Sequence, residues 1–259
     1  MLAKLFGRQA RPVPAPPPRE AAAPAGARIY AVGDIHGRCD LLQQLHERIA
    51  ADSAESPPAA RRIVYLGDYC DRGLETRQVI DLLLDSPLAG FEAVHLKGNH
   101  EEFMLRFLED TKVGPGWIAN GGGGTLYSYG VRTPKNGSDT ERLAGLQQQF
   151  RDNLPERHLA FLRGLQRWHI EGDYLFVHAG IRPGIALEEQ SDDDILWIRE
   201  EFLDDERDHG RVVVHGHTIT DQPDVRANRV GIDTGAFASN VLTAIVLEGT
   251  GRRFLQTAG

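Results

Sequence analysis

Cysteine is almost missing from this chain: Cys39 and Cys70 are the only two in 259 residues. Two thiols make no disulfide framework, so the fold is expected to rest on its own core, in a reducing, cytoplasmic setting. No window of 18 apolar residues occurs, and no membrane partner is expected. Positive charge is also short. The formal net charge of −8 argues against nucleic acid as a partner. Residues 1–27 are Pro- and Ala-rich, poor in branched apolar residues, and lack the apolar run of a secretory signal. They are expected to be a disordered tail, ahead of one domain over 28–259.

What remains reads as an α/β pattern. Apolar runs at 28–33, 61–67 and 91–98 predict strands, and helical spacing at 41–50, 79–85 and 101–110 predicts helices between and after them. This alternation points to a parallel β-α-β-α-β start. Helices are expected at 141–151 and 155–164. Runs at 167–172, 174–180, 211–216, 228–235 and 241–249 predict a second sheet packed on the first. The glycine-rich stretch 113–130, with no Gly-Lys-Ser/Thr after it, is no P-loop; it is expected to be a mobile loop over a site or a plain surface connection.

The first three strands end in "GDIHG", "GDYCDRG" and "GNHE". Ligands of α/β folds sit at the carboxyl ends of strands, so Asp34, His36, Asp68, Asp71, Asn99 and His100 are expected on one rim. "FVHAG" and "VHGHT" add His178 and His217 at two later strand ends. Divalent metals at hydrolytic centres take oxygen and imidazole donors, with one carboxylate able to bridge two ions. A lone histidine of this kind is usually structural; five strand ends finishing in Asp, Asn or His beside Gly are hard to explain by packing.

In their order and spacing, with Gly33, Gly67 and Gly98 separated by 34 and 31 residues, these motifs resemble the signature of metallophosphoesterases. The Arg in "GDYCDRG" points to their phosphoprotein phosphatase branch. "W-x-x-N-G-G" (117–122) and "W-x-R-E" (197–200) are similar to elements of bacterial and phage members. The resemblance implies a calcineurin-like metallophosphoesterase fold, a β-sandwich core flanked by helices. It implies that Asp34 and His36 hold a first metal, that Asp68 bridges, and that Asn99, His178 and His217 hold a second. The metals would be manganese foremost, with iron or zinc also suited. A shared water would attack phosphorus, consistent with the absence of a clear nucleophilic Cys or Ser. Arg72, Arg199 and Asn99 would hold the phosphate, and His100 would protonate the leaving alkoxide with Asp71 orienting its ring.

The implied activity is hydrolysis of phosphoserine or phosphothreonine in proteins, with phosphotyrosine also open and a phosphoprotein or phosphopeptide as partner. Symmetrical dinucleoside polyphosphate hydrolysis is the alternative, and relatives that perform it tend to have Gln at the position of His36. A dead scaffold would lack a ligand, and all six are present. Residues 188–210 carry −9 and leave the rest of the chain at +1; they form a solvated face or an acidic wall beside a cleft. Cys70 reads as a small buried hydrophobe rather than an oxidant sensor. His95 reads as structural, His215 as either a support for its neighbouring ligand His217 or a structural group, and His46, His158 and His209 as ordinary surface or helix histidines.

Overall fold

The computed structural model describes residues 20–55 and 60–257. Strands β1 (Ala27–Val32), β2 (Ala60–Tyr65) and β3 (Glu92–His95) are parallel neighbours. Helices α1 (Cys39–Glu55) and α2 (Thr76–Asp85) connect them. The predicted alternation is therefore observed. A parallel strand is covered on both faces and reads as a continuous apolar run. Tyr30, Val32, Ile63 and Tyr65 meet α1 and α2, while Ile29, Ala31, Val64 and Leu66 point the other way, between the sheets.

The second half supplies β4 (Trp168–Glu171), β5 (Tyr174–Val177), β6 (Val212–His215), β7 (Asp224–Val225) and β8 (Arg229–Gly231). These form a five-stranded sheet in the order β4-β5-β6-β8-β7. The last strands, β9 (Thr243–Glu248) and β10 (Gly251–Gln256), extend the first sheet to β10-β9-β1-β2-β3, so the run 241–249 joins β1 and not the second sheet expected for it. Tyr174, Phe176, Val212, Val214, Val230 and Ile232 face Ile29, Val64, Ile245 and Leu247 across the sandwich. No strand is predicted at β10: its residues, Gly-Arg-Arg-Phe-Leu-Gln, are mostly polar and do not alternate, and it is a half-exposed edge strand marked only by the Gly-Thr-Gly turn before it.

Helices cover both outer faces. α3 (Asn99–Glu109) starts at the end of the third motif and packs with α6 (Asp139–Asn153) and α7 (Glu156–Arg163). Between them the glycine-rich stretch is helical, not a mobile loop: α4 (Gly114–Trp117), a π turn (Ile118–Gly122) and α5 (Gly123–Ser128). Packing overrides the poor helix propensity of glycine here, because Trp117 is fully buried against Phe107 and Phe150.

The acidic segment also contains helices, α8 (Asp192–Trp197) and α9 (Glu200–Leu203). Ser191 caps α8, and Asp192, Asp194, Glu201 and Asp205 pair with Arg167, Arg182 and Arg207. A short helix, α10 (Ala236–Ser239), precedes β9.

Of the expected tail, residues 1–19 lie outside the described residues. Its last part belongs to the body: Ala23 is buried in the inter-sheet core and donates its N–H to Gly249 O at 2.8 Å. The body therefore starts before the expected residue 28. His46 and His158, expected as surface or helix histidines, lie on α1 and α7 with their side chains buried. His46 lies 2.8 Å from the Tyr65 hydroxyl, and His158 lies 2.8 Å from that of Tyr129. His209 is half-buried beside Phe202, and His95 stacks on Tyr65 at 5.0 Å. Among the described residues no helix is long and apolar enough to cross a membrane.

Phe176→Ala in the inter-sheet core is expected to lower the unfolding free energy by about 3–5 kcal/mol in urea denaturation. Ile219→Ala, at a residue 48 % exposed, should change it by less than about 0.5 kcal/mol.

Candidate metal centre and active site

The turns after β1, β2, β3, β5 and β6 meet at one rim of the sandwich. Their backbones are unusual. Non-glycine residues rarely take positive φ, yet His36, Asp68, Asp71, Arg72 and His217 all do, with φ of 46°, 52°, 70°, 65° and 63°. Close approach adds a second demand. A Cβ on Gly98 would stand 2.1 Å from Oδ1 of Asp68, and one on Gly216 would stand 2.0 Å from Oδ1 of Asp34. Glycine at these two motif positions is therefore required by space.

Asp68 is the hub. Its Oδ2 lies 3.5 Å from Nε2 of His36 and 3.9 Å from Nε2 of His100; its Oδ1 lies 3.5 Å from Nε2 of His178. One carboxylate thus faces two groups that could each hold a metal ion: His36, Asp68 and His100, and Asp68, His178 and His217. Backbone carbonyls fix the tautomers. Nδ1 of His36 donates to Cys70 O at 2.8 Å, and Nδ1 of His178 donates to Leu66 O at 2.9 Å. In the neutral rings Nε2 then carries a lone pair toward other acceptors.

Oδ1 of Asn99 stands 2.8 Å from Nε2 of His178 and 2.9 Å from Nδ1 of His217. Donors of one tetrahedral or octahedral ion stand roughly 3 Å apart, given metal–nitrogen bonds near 2.0–2.1 Å. Buried Asp34 Oδ1, His36 Nε2, His217 Nε2 and Asp233 Oδ2 have no hydrogen-bond partner. Unpartnered buried polar atoms are costly, and this donor set of carboxylate, imidazole and amide fits divalent ions.

The electrostatics agree. Burial, with Asp233 and Asp68 nearby, pushes the Asp34 carboxyl well above its usual range, and burial raises Asp68 and Asp233. Burial holds His36 far down, aided by His100 and Arg72. It lowers His178 to about 4, and with His178 and Arg199 it lowers His217 to about 2. Neutral imidazoles beside carboxylates with too little compensating charge are what a bound cation uses.

His100 stands apart. Its Nδ1 is 2.7 Å from Oδ2 of Asp71, and its Nε2 is 3.3 Å from Nη2 of Arg72. Burial lowers its pKa, but the Asp68 charge and the hydrogen bond to Asp71 outweigh this and raise it. The Arg72 guanidinium lies 4.5 Å over the Phe237 ring. Arg199 is exposed and reaches Oγ1 of Thr218 at 3.3 Å, on the His217 side.

The structure thus brings together Asp68, Asn99, His178 and His217, with His36, His100, Asp71 and Arg72 adjoining. Asp34 is in neither three-residue group; it accepts the His217 N–H at 3.0 Å and lies beside Asp233. His215 also lies outside both groups, its ring 5.2 Å from Phe202. Cys70 is fully buried, and burial raises its thiol pKa well above the usual value, which opposes thiolate chemistry there.

Sequence reasoning missed Asp233, although "GIDTG" repeats the carboxylate-beside-glycine pattern of the other strand ends. It also missed Glu101, the last residue of "GNHE". The buried Glu101 carboxylate accepts the N–H groups of Asp68, Tyr69, Cys70 and Gly98 at 2.8–3.1 Å. Trp197, 6.2 Å from His217, and Phe237, 5.5 Å from His36, flank the rim. Trp197 opens the "W-x-R-E" element, whereas no spacing rule marks Phe237.

A family model for calcineurin-like phosphoesterases matches residues 27–234. The chain belongs to the calcineurin-like phosphoesterase family. It is 30 % identical over 225 residues to serine/threonine-protein phosphatase 2 of Salmonella typhimurium, covering 83 % of this chain and 90 % of that one. It is 24 % identical over 233 residues to an asymmetrical bis(5'-nucleosyl)-tetraphosphatase of Bacillus thuringiensis, covering 83 % and 88 %. A symmetrical enzyme of that name from Aromatoleum aromaticum is 29 % identical over 163 residues, 62 % of this chain but only 46 % of that one.

Among solved structures, a protein provisionally named a diadenosine tetraphosphatase superposes with a TM-score of 0.57 at 20 % identity, covering 92 % of this chain and 96 % of that one. A mutant of a cold-active protein tyrosine phosphatase gives 0.57 at 15 % identity, covering 92 % and 83 %. The calcineurin-like fold and its metallophosphoesterase hydrolase chemistry follow from the family.

Without ions, the raised carboxylates cost stability as pH rises through their folded-state pKa values; ions remove that cost, and protons compete for the same oxygens. Adding Mn²⁺ at about 100 Kd to metal-stripped protein at pH 7.5 should therefore raise Tm by roughly 5–10 °C. The gain should shrink as pH falls toward 5 and be largely lost in Asp68→Asn. A gain independent of pH would count against these carboxylates as ligands.

Proposed function

We propose that the chain hydrolyses phosphomonoesters on protein side chains, phosphoserine and phosphothreonine foremost, with phosphotyrosine accessible to the same site. The pairing of His100 with Asp71 carries this reading. An alkoxide is a poor leaving group and needs a proton as the P–O bond breaks; a phosphate leaving from an anhydride needs it far less. His100, whose Nδ1 is paired with Asp71, is suited to give that proton from Nε2. Water adds hydroxide to phosphorus and releases its other proton to solvent. The bonding pair stays with the leaving oxygen, that oxygen takes the His100 proton, and His100 is reprotonated from solvent. The products are the alcohol and inorganic phosphate.

Arg72, beside His100, and Arg199, on the His217 side, would hold the phosphate oxygens in line together with the Asn99 amide. Two divalent ions, manganese foremost with iron or zinc also suited, would supply Lewis acidity and lower the pKa of the attacking water. Asp34, His36 and Asp68 would hold one, and Asp68, Asn99, His178 and His217 the other. A single catalytic domain working in the cytoplasm on phosphoproteins, rather than on nucleic acid, is part of the same reading. The Salmonella phosphatase, aligned over nearly its whole length, supports it. The tetraphosphatase names among the other relatives support dinucleoside polyphosphate hydrolysis as the second reading.

Turnover of a phosphoserine peptide and of diadenosine tetraphosphate, each with Mn²⁺, separates the two. The peptide should have the higher kcat/KM by at least about tenfold, and His100→Asn should lower its kcat by about 10²-fold or more. A higher kcat/KM on the dinucleotide would reverse the assignment.

A further inference from the structure

The "W-x-x-N-G-G" element has no role in holding metal or phosphate in the reading above, yet it is built against the reacting groups. Asp71 is fully buried, and each of its carboxylate oxygens is held. Oδ2 accepts from Nδ1 of His100 at 2.7 Å and from Nε1 of Trp117 at 2.8 Å; Oδ1 accepts from the Thr125 hydroxyl at 2.6 Å. The same hydroxyl accepts the Asp71 N–H at 2.9 Å and lies 3.1 Å from that of Thr76.

This convergence depends on the break in the helix. Residues eight apart on an unbroken α-helix point roughly 80° apart and stand about 12 Å apart along the axis. Trp117 and Thr125 are eight apart, and the turn at Gly121, with φ 109°, brings both donors to one carboxylate. π turns of this kind are common at functional sites. The element also grips the loop itself. Gly121 O accepts the Arg72 N–H at 3.0 Å, and a Cβ on Gly124 would stand 2.4 Å from Gly73 O. Asp71 and Arg72, both left-handed, are held from outside by this contact.

We propose that Trp117 and Thr125 are positioning residues for the reaction: they lock the Asp71 carboxylate and, through it, the ring of His100. The proposal rests on the reading of His100 as the proton donor to the leaving group. The lock has a specific task, because Nε2 of His100 is only 3.9 Å from Oδ2 of Asp68. A ring released from Asp71 could turn toward the metal donors instead of the leaving oxygen.

The test compares two esters that differ in their need for a proton. Trp117→Phe removes the indole donor, and Thr125→Val removes the hydroxyl with little change of shape, so either variant serves if the other does not fold. Each should lower kcat on an alkyl phosphomonoester, a phosphoserine peptide, by about tenfold or more. Each should change kcat on p-nitrophenyl phosphate, whose leaving group needs no proton, by less than about threefold. KM and the Tm gain on Mn²⁺ should stay near wild type. His100→Asn should discriminate between the two esters in the same direction and more strongly. If His100→Asn discriminates and the two variants do not, the positioning role is overturned and the proton donor stands. If His100→Asn fails to discriminate, both fall.

Discussion

Burial of carboxylates with too little opposing charge is the constraint from which the rest of the site follows. Asp34, Asp68 and Asp233 lie at the inner rim of the sandwich, where burial pushes all three carboxyls toward the protonated form. The imidazoles among them are pushed the other way, toward neutrality. A fold that needed only its own stability would fill such a place with apolar side chains, since uncompensated buried charge is strongly destabilising. The arrangement makes sense when the missing charge arrives with a divalent cation, and ligation then contributes to folding as well as to chemistry.

The sandwich gathers these groups because the turns that carry them leave both sheets at the same edge. β1, β2 and β3 bring Asp34, Asp68 and Asn99, while β5 and β6 bring His178 and His217 from the opposing sheet. The apolar layer of Ile29, Val64, Phe176, Val214 and Ile245 sets the spacing between the two sheets. A side chain removed from that layer therefore bears on the donors as well as on stability. Packed interiors relax only partly around a cavity.

Much of this was legible in the sequence, for identifiable reasons. Parallel strands covered on both faces leave unbroken apolar runs, so all three early strands could be placed. Turns that combine backbone strain and close approach can use few residue types, so the motifs marked most of the buried carboxylate, imidazole and amide groups that gather at the rim. Illegible were the features set by three-dimensional packing. The glycine-rich stretch lacks the composition of a helix and is held helical by Trp117. His46 and His158 carry no sign that a tyrosine hydroxyl awaits each of them inside. Asp233 had the right neighbours in sequence, yet only the pairing of β8 with β6 brings it to Asp34. Phe237 becomes part of the site solely through where its short helix lies.

Five left-handed non-glycine residues in one site are costly, at about 1 kcal/mol or more each. Together they approach the lower end of a domain's net stability. Such conformations persist only where the surroundings over-determine them, and each here has its brace. Asp68 O accepts the N–H groups of Ile35 and His36 at 3.1 and 2.8 Å, so the first two motifs hold each other. Glu101 gathers the N–H groups of the second motif and ties them to the start of α3. Asp34 accepts the N–H of His217, joining the first motif to the last. Gly121 and Thr125 hold the backbone of Arg72 and Asp71. The motifs therefore form one cross-braced object, in which a group that binds also fixes the backbone of another. This explains why residues with no evident chemistry, such as Glu101 and Thr125, are buried as deeply as the donors. The strain is held by their hydrogen bonds, which brace the backbone beneath the groups gathered at the rim.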